Sequence, residues 1–412
     1  MKKNLFLSLW IMLGMMSVLL ISCDTTSSNE DPLITVDPNV PELVVADNNF
    51  GINLFKRANA EKLDSNVFVS PLSVATALTM VYNGAESTTK VAMEETLSLS
   101  ELTVEEVNAA YESLLPLLEN LDEEVLLNIA NSIWIRDTYT PNPEFINTNE
   151  TAFDSEVLPL DFTNSNAIDI INAWVADKTN DKIDKIIDNV SDEAILYLIN
   201  AIYFKGSWTA QFDPESTEVN SIFIKENGAI ANCDMMRMDE KTLPYFSGEN
   251  FQAVDLAYGD SIWSMSIFVP NAGTSVNDLV EQLNLETWNT WTNSFEPTTI
   301  GLTMPKFTVE YKITLNKILK DMGMEIAFSA NDADFSRIGA EDFFINQVAH
   351  KTFIQVTEKG TEATAVTSVG VGITVIPSYP VVQLNKPFLY VIRERQHNTI
   401  LFMGKMMNPV EE

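Results

Sequence analysis

The chain has 412 residues, of which 46% are hydrophobic and 20% charged, with only 15 Gly and 17 Pro; this excludes a disordered or collagen-like chain and allows a substantial core. Asp and Glu number 58 against 25 Lys and Arg, a formal charge of −33 that repels phosphate backbones and argues against nucleic acid as a partner. The same charge either serves solubility alone or favours encounter with cationic proteins.

At the N-terminus Lys2 and Lys3 precede an apolar run from Leu5 to Ile21, the layout of a secretory signal over residues 1–22. The run closes on Leu20-Ile21-Ser22-Cys23, which resembles the lipobox of bacterial lipoproteins. That resemblance implies that Cys23 becomes the mature N-terminus and carries lipid, each buried methylene contributing about 0.8 kcal/mol to membrane attachment. It places the protein in the cell envelope, at the outer membrane or the cell surface. With Cys23 lipidated only Cys233 remains, so no internal disulfide is expected. Residues 23–45 are polar and hold three prolines, which predicts a flexible tether before one domain over 46–412. No later segment is long and apolar enough to span a bilayer.

Within that domain, helical periodicity marks Asn48–Ala58, Leu72–Tyr82, Thr103–Leu118 and Ala167–Lys178. Strand-like runs are Leu126–Ile135, Ala194–Phe204, Phe251–Leu256, Ser264–Pro270, Gly301–Tyr311, Phe353–Thr357 and Thr399–Met406. Helices dominate the first half and strands the second, which predicts an α+β fold.

Enzyme chemistry finds little support. The two histidines, His350 and His397, are too few for a multi-histidine metal centre. No G-x-S-x-G elbow, Walker loop or H-E-x-x-H is present, and Gly370-Val-Gly372 lacks the third glycine of a dinucleotide loop. Asn331-Asp-Ala-Asp334 reads as a solvated turn. No cofactor and no metal site is expected.

Residues 358–377 stand apart. From Ala363 to Ile376 there is no charge, no proline and nothing larger than Ile, and alternate positions separate into two sets. Thr361, Ala363, Ala365, Thr367, Val369 and Val371 are small enough to be buried on one sheet face. Glu362, Thr364, Val366, Ser368, Gly370 and Gly372 begin with a charge and stay mostly polar. Periodicity alone reads this as an ordinary half-buried strand.

Motifs along the whole domain overturn that reading. Glu358-Lys-Gly-Thr-Glu-Ala-Thr-Ala resembles the hinge of inhibitory serpins, and Asn66-Val-Phe-Val-Ser-Pro-Leu-Ser73 with Gly84-Ala85 resembles the segment entering their helix B. Asn131-Ser-Ile-Trp134, Leu198–Trp208 with Phe212, Met304-Pro-Lys-Phe307, His350-Lys351, Asn385-Lys-Pro-Phe388 and Phe402-Met-Gly-Lys405 follow in family order, so the resemblance covers about residues 46–408. It implies the serpin fold: three β-sheets surrounded by eight or nine helices, with an exposed reactive-centre loop. It also implies a mechanism in which a protease cleaves that loop, becomes acylated, and is dragged off as the freed loop enters a five-stranded sheet as a sixth strand.

Carried onto this sequence, the hinge is Glu358, Gly360, Thr361, Ala363 and Ala365. The polar cluster governing sheet opening is Ser70, Ser73, Asn200 and His350, with Trp208 where insertion begins. Counting from Glu358 puts the reactive bond between Thr374 and Val375, with Val375–Ile376 second. No Lys or Arg lies between Lys359 and Lys386, which suits elastase-like or subtilisin-like serine proteases rather than trypsin-like ones, a cysteine protease being a further option. No Lys or Arg occurs from Val91 to Ile135, so heparin is not an expected partner, and a monomer is expected. The competing reading is a serpin that does not inhibit and serves as a surface binding protein.

Overall fold

The computed structural model describes residues 36–340, 342–361 and 378–410. The signal segment, Cys23, hinge residues Ala363 and Ala365, and the Thr374–Val375 bond lie outside the described residues.

The chain opens with helix α1 (Val40–Glu61), strand β1 (Val67–Val69), helices α2 (Pro71–Tyr82), α3 (Ser87–Thr96) and α4 (Val104–Glu119), and strand β2 (Val125–Arg136). Helix α5 (Pro143–Phe153), β3 (Glu156–Leu160), α6 (Ala167–Lys178) and β4 (Leu196–Ser207) follow. Next come β5 (Glu218–Ile224), β6 (Ile230–Ser247), β7 (Phe251–Tyr258), β8 (Trp263–Pro270), helices α7 (Val276–Gln282) and α8 (Leu285–Asn293), β9 (Glu296–Pro305), β10 (Phe307–Thr314) and the short α9 (Asn316–Leu319). The chain ends with β11 (Gln347–Thr357), β12 (Gly360–Thr361), β13 (Val381–Gln383), β14 (Phe388–Glu394) and β15 (Ile400–Met406).

Two hydrogen-bonded ladders result. One has six strands in the order β10-β11-β12-β4-β2-β3. The other runs β1-β15-β14-β8-β7-β6-β9-β13, with β5 paired to β6. Strand β6 serves two groups, pairing with β5 and β9 through most of its length and with β7 only at Tyr245–Ser247. The three expected sheets therefore occur with the second and third joined through β6, and nine α-helices are present among the described residues.

The six-stranded sheet is covered on both faces, which explains why β4 reads as an almost unbroken apolar run. Leu196, Leu198, Ile202 and Phe204 join the main core, while Tyr197, Ile199 and Ala201 join a smaller core with Ile171, Val175 and Ile187 around α6. Helix α2 is buried along its entire length behind this sheet, as an apolar-all-round helix must be. Helix α4 starts on a capping box, Thr103 with Glu106, worth about 1 kcal/mol.

Three boundaries differ from the sequence reading. The tether expected to reach residue 45 ends sooner, because Val40, Leu43 and Val44 are buried in α1 and Pro41 sets its first turn. The single strand expected over Gly301–Tyr311 is two strands in different ladders, parted at Lys306. The hairpin of β5 and β6 was not anticipated, because Asp234, Arg237, Asp239, Glu240 and Lys241 obscure the apolar alternation of β6. The remaining thiol, Cys233, is free and buried, and burial with nearby Asp234 pushes it up to about 11.

Candidate functional site

Strands β4 and β11 are neighbours that run parallel, yet they pair only from Gln347↔Tyr197 to Lys351↔Ala201. Beyond Lys351 they part, and Gly360–Thr361 occupies the far end of the gap, antiparallel to both: Thr361 faces Val356 and Gly206, and Gly360 faces Thr357 and Ser207. The sheet thus has five full strands and a two-residue stub of a sixth between its central members. A glycine is required at 360. Its φ is +152°, and a Cβ there would stand 2.1 Å from the Gly206 carbonyl oxygen.

The upper end of the gap grips the chain entering it. The Glu358 carboxylate is buried, 3.1 Å from Lys306 Nζ, and accepts from Thr217 Oγ1 at 2.9 Å. Backbone N–H groups of Trp208 and Phe212 donate to the carbonyls of Lys359 and Glu358, each at 2.9 Å. The Trp208 indole donates to the Thr357 carbonyl at 2.9 Å and stacks on Tyr258 with centroids 4.3 Å apart. Tyr258 hydroxyl meets Thr361 Oγ1 at 2.6 Å, and Thr361 is only 2% exposed. Burial holds the Tyr258 phenol well above its ordinary value, so it stays a neutral hydrogen-bonding group.

The lower end, where the strands still pair, carries a row of polar side chains. Asn131 on β2, Asn200 on β4 and His350 on β11 are opposite one another in register. Asn200 Nδ2 donates to Asn131 Oδ1 at 2.6 Å, and Ser73 Oγ on α2 donates to Asn200 Oδ1. The Ser70 backbone N–H donates to His350 Nε2 at 3.0 Å, and Ser70 Oγ donates to the Leu401 carbonyl at 2.7 Å. Ser70, Ser73, Asn200 and His350 are all buried. Burial drives the His350 pKa down to about 3, so the ring is neutral, and with Nε2 accepting, the proton sits on Nδ1. That Nδ1 and Asn131 Nδ2 have no hydrogen-bond partner among the described residues.

The predicted residues therefore fall into two groups. Glu358, Gly360, Thr361 and Trp208 meet at the mouth of the gap; Ser70, Ser73, Asn200 and His350 meet where it closes. Sequence reasoning did not assign Tyr258, Lys306, Thr217 or Asn131. Lys306 lies inside the quoted Met304–Phe307 motif, and its place between β9 and β10 aims it at Glu358. Tyr258 stands 103 residues from Thr361 and offers no local signal. His397 lies in the β14–β15 turn, its N–H and ring facing the buried Glu394. Among the described residues no cluster of His, Cys, Asp and Glu suits a metal ion, and no helix is long and apolar enough to cross a membrane.

Comparison with known proteins bears on this geometry. The family described as Serpin (serine protease inhibitor) matches residues 45–409. Serpin A3-2 of Bos taurus is 32% identical over 376 residues, covering 90% of each chain. Iripin-8 of Ixodes ricinus is 34% identical over 380 residues, covering 89% of this chain and 93% of that one. A solved thyroxine-binding globulin in complex with thyroxine superposes with a TM-score of 0.83 at 29% identity, over 90% of this chain and 100% of that one.

Proposed function

The chain belongs to the serpin family, and from that premise we propose that it is an inhibitory serpin, a suicide-substrate trap for serine proteases that works by inserting its cleaved loop. One observation carries this reading: the first hinge residues already lie between β4 and β11, and those strands are unpaired with each other beyond Lys351.

Continuing the antiparallel register of Gly360–Thr361 sets Ala363 opposite Ile354 and Phe204, Ala365 opposite Thr352 and Ile202, and Thr367 opposite His350 and Asn200. The inward residues are thus small where the gap is already open. The first larger ones, Val369 and Val371, come only after the His350–Asn200 pair has been parted. Thr367 would bring a hydroxyl to the Nδ1 proton, which lacks an acceptor among the described residues. Each ladder hydrogen bond adds about 0.5–1.5 kcal/mol net, so roughly ten new ones amount to about 10 kcal/mol before apolar burial. Val371 would reach Leu196, the first residue of β4, so a cut after Thr374 frees enough chain to fill the gap.

Small side chains around Thr374–Val375 favour elastase-like or subtilisin-like enzymes as targets. The net charge of −33 favours basic ones, through an association rate that falls as salt rises. Cys23 is proposed as the lipid attachment point holding the inhibitor at the cell envelope; labelling with a fatty acid should be lost in Cys23→Ala.

The decisive experiment mixes the protein with an elastase. Expected are a complex that survives boiling in SDS, release of a peptide beginning at Val375, and a cleaved protein far more heat-resistant than the intact one. Cleavage with no gain in melting temperature would refute trapping. The likeness to thyroxine-binding globulin favours a second reading, a non-inhibitory binding protein, which predicts cleavage without a stable complex.

A further inference from the structure

The sequence contains two Asn-Gly pairs, Asn83-Gly84 and Asn227-Gly228. A glycine after asparagine has no Cβ and a freely turning backbone, so its nitrogen is the least hindered of any residue in approaching the asparagine side-chain carbon. The fold treats the two pairs in opposite ways.

Asn83 caps the end of α2 in helical geometry, with φ −56° and ψ −24°, and is only 6% exposed. Its amide is pinned at both atoms. Nδ2 donates to Asn108 Oδ1 at 3.0 Å, and Oδ1 accepts from Asn108 Nδ2 at 2.8 Å. The Gly84 N–H donates to the Val81 carbonyl at 2.8 Å, and a Cβ on Gly84 would stand 2.2 Å from Ile338 Cγ1. Neither the side chain nor the backbone has room to swing.

Asn227 sits at the tip of the β5–β6 hairpin. Lys225 N–H donates to the Ala229 carbonyl at 2.8 Å and Gly228 N–H to the Lys225 carbonyl at 2.9 Å, which closes the loop Glu226-Asn227-Gly228. Gly228 has φ +80°, the left-handed position that such a hairpin loop requires. Residues 226–230 are all exposed, and nothing lies within 4 Å of where a Gly228 Cβ would point. Asn227 Oδ1 accepts from the Ala229 N–H at 3.0 Å. That bond folds the side chain back along its own backbone, with Gly228 nitrogen inside the ring it closes. It also places a donor on the oxygen where negative charge develops if Cγ is attacked. The Gly228 N–H must first leave the Lys225 carbonyl, and an exposed turn bond opens at little cost.

We propose that Asn227 is a site of spontaneous covalent modification, in which the Gly228 backbone nitrogen attacks Asn227 Cγ. The new N–Cγ bond closes a succinimide ring as the Cγ–Nδ2 bond breaks, and Nδ2 leaves as ammonia with the proton lost from Gly228. Water then opens the ring at either carbonyl, giving aspartate or isoaspartate. Both products add a negative charge beside Glu226. The isoaspartate form also lengthens the main chain inside a loop whose closure depends on its length, so the Lys225–Ala229 bond loosens.

The test ages the full chain for days at mildly alkaline pH, digests it, and follows both Asn-Gly peptides by mass spectrometry with isoaspartyl methyltransferase labelling. A sample unfolded in guanidinium, where both pairs are free, runs in parallel. In the folded protein Asn227 should convert nearly as fast as in the unfolded chain. Asn83 should convert at least about tenfold more slowly, a protection that disappears in guanidinium. Amide exchange at Lys225 should quicken in the isoaspartate fraction. Asn227 staying intact while the unfolded sample converts would overturn the proposal, and so would equal conversion of the two pairs in the folded protein. Unchanged exchange at Lys225 in the isoaspartate fraction would overturn the loosening of the hairpin.

Discussion

The two ends of the gap between β4 and β11 are held by opposite means. At the mouth every polar group named is satisfied: Glu358 by Lys306 and Thr217, Thr361 by Tyr258, and the Trp208 indole by Thr357. At the closed end, His350 Nδ1 and Asn131 Nδ2 are buried without partners among the described residues. A buried unpaired polar group costs about 1–3 kcal/mol. Under the inhibitory reading proposed above, a further strand entering ahead of the stub would relieve that cost, while the stub itself is held by the bonds at the mouth. A proline or an inward charge would spoil such a device, and neither occurs from Ala363 to Ile376.

Substitutions at the mouth should be the most damaging. Thr361→Arg puts a charge into a 2% exposed site between the two strands, so the protein should be cleaved as a substrate instead of trapping. The ratio of SDS-stable complex to cleaved chain should fall almost to zero. Next in size is Glu358→Lys, which replaces a buried ion pair by two facing cations. The first unfolding transition should lose about 3–5 kcal/mol in denaturant titrations.

Breaking the closed end calls for pH. His350 titrates near 6.5 when unfolded and near 3 when folded, so the unfolded chain takes up its proton first as pH falls. Its contribution to stability is therefore complete above pH 6.5 and is lost downward from there, at about 1.4 kcal/mol per pH unit until near pH 3. A His350→Gln variant should show a shallower acid slope than the wild type. If the slopes coincide, the orphaned imidazole does not weaken the closed end. The smallest effect is expected from Tyr258→Phe, which removes one buried hydrogen bond worth about 1 kcal/mol. Amide exchange at Gly360 and Thr361 should quicken roughly fivefold, sharpening the view that the stub is tethered by side chains as well as by its ladder.

Much of this was legible in the sequence where the signal is local. Helix α6 falls where its periodicity sets it, Ala167–Lys178, and β2, β4, β7 and β8 differ from their predicted runs by at most three residues at either end. The hinge was recognisable only through the resemblance of Glu358–Ala365 to the serpin motif, since periodicity alone reads it as an ordinary half-buried strand. What escaped is what depends on distant packing. Lys306 looked like the middle of one strand because nothing local says that the two halves of Gly301–Tyr311 enter different ladders. Tyr258 lies two residues beyond the predicted run Phe251–Leu256, and only the approach of Thr361 gives its hydroxyl a task. The burial of Thr361 itself was expected only after cleavage, whereas the intact chain already holds it between the strands, where Gly360 turns the backbone in against Gly206.

The indole of Trp208 lies face to face with the Tyr258 ring, whose hydroxyl touches the first inserted side chain. Any advance of the hinge must disturb that stacked pair before it reaches the deeper strands. The molecule therefore carries its own optical reporter: in stopped-flow mixing with a protease, native tryptophan emission should change in the same phase that commits the loop, with no dye attached.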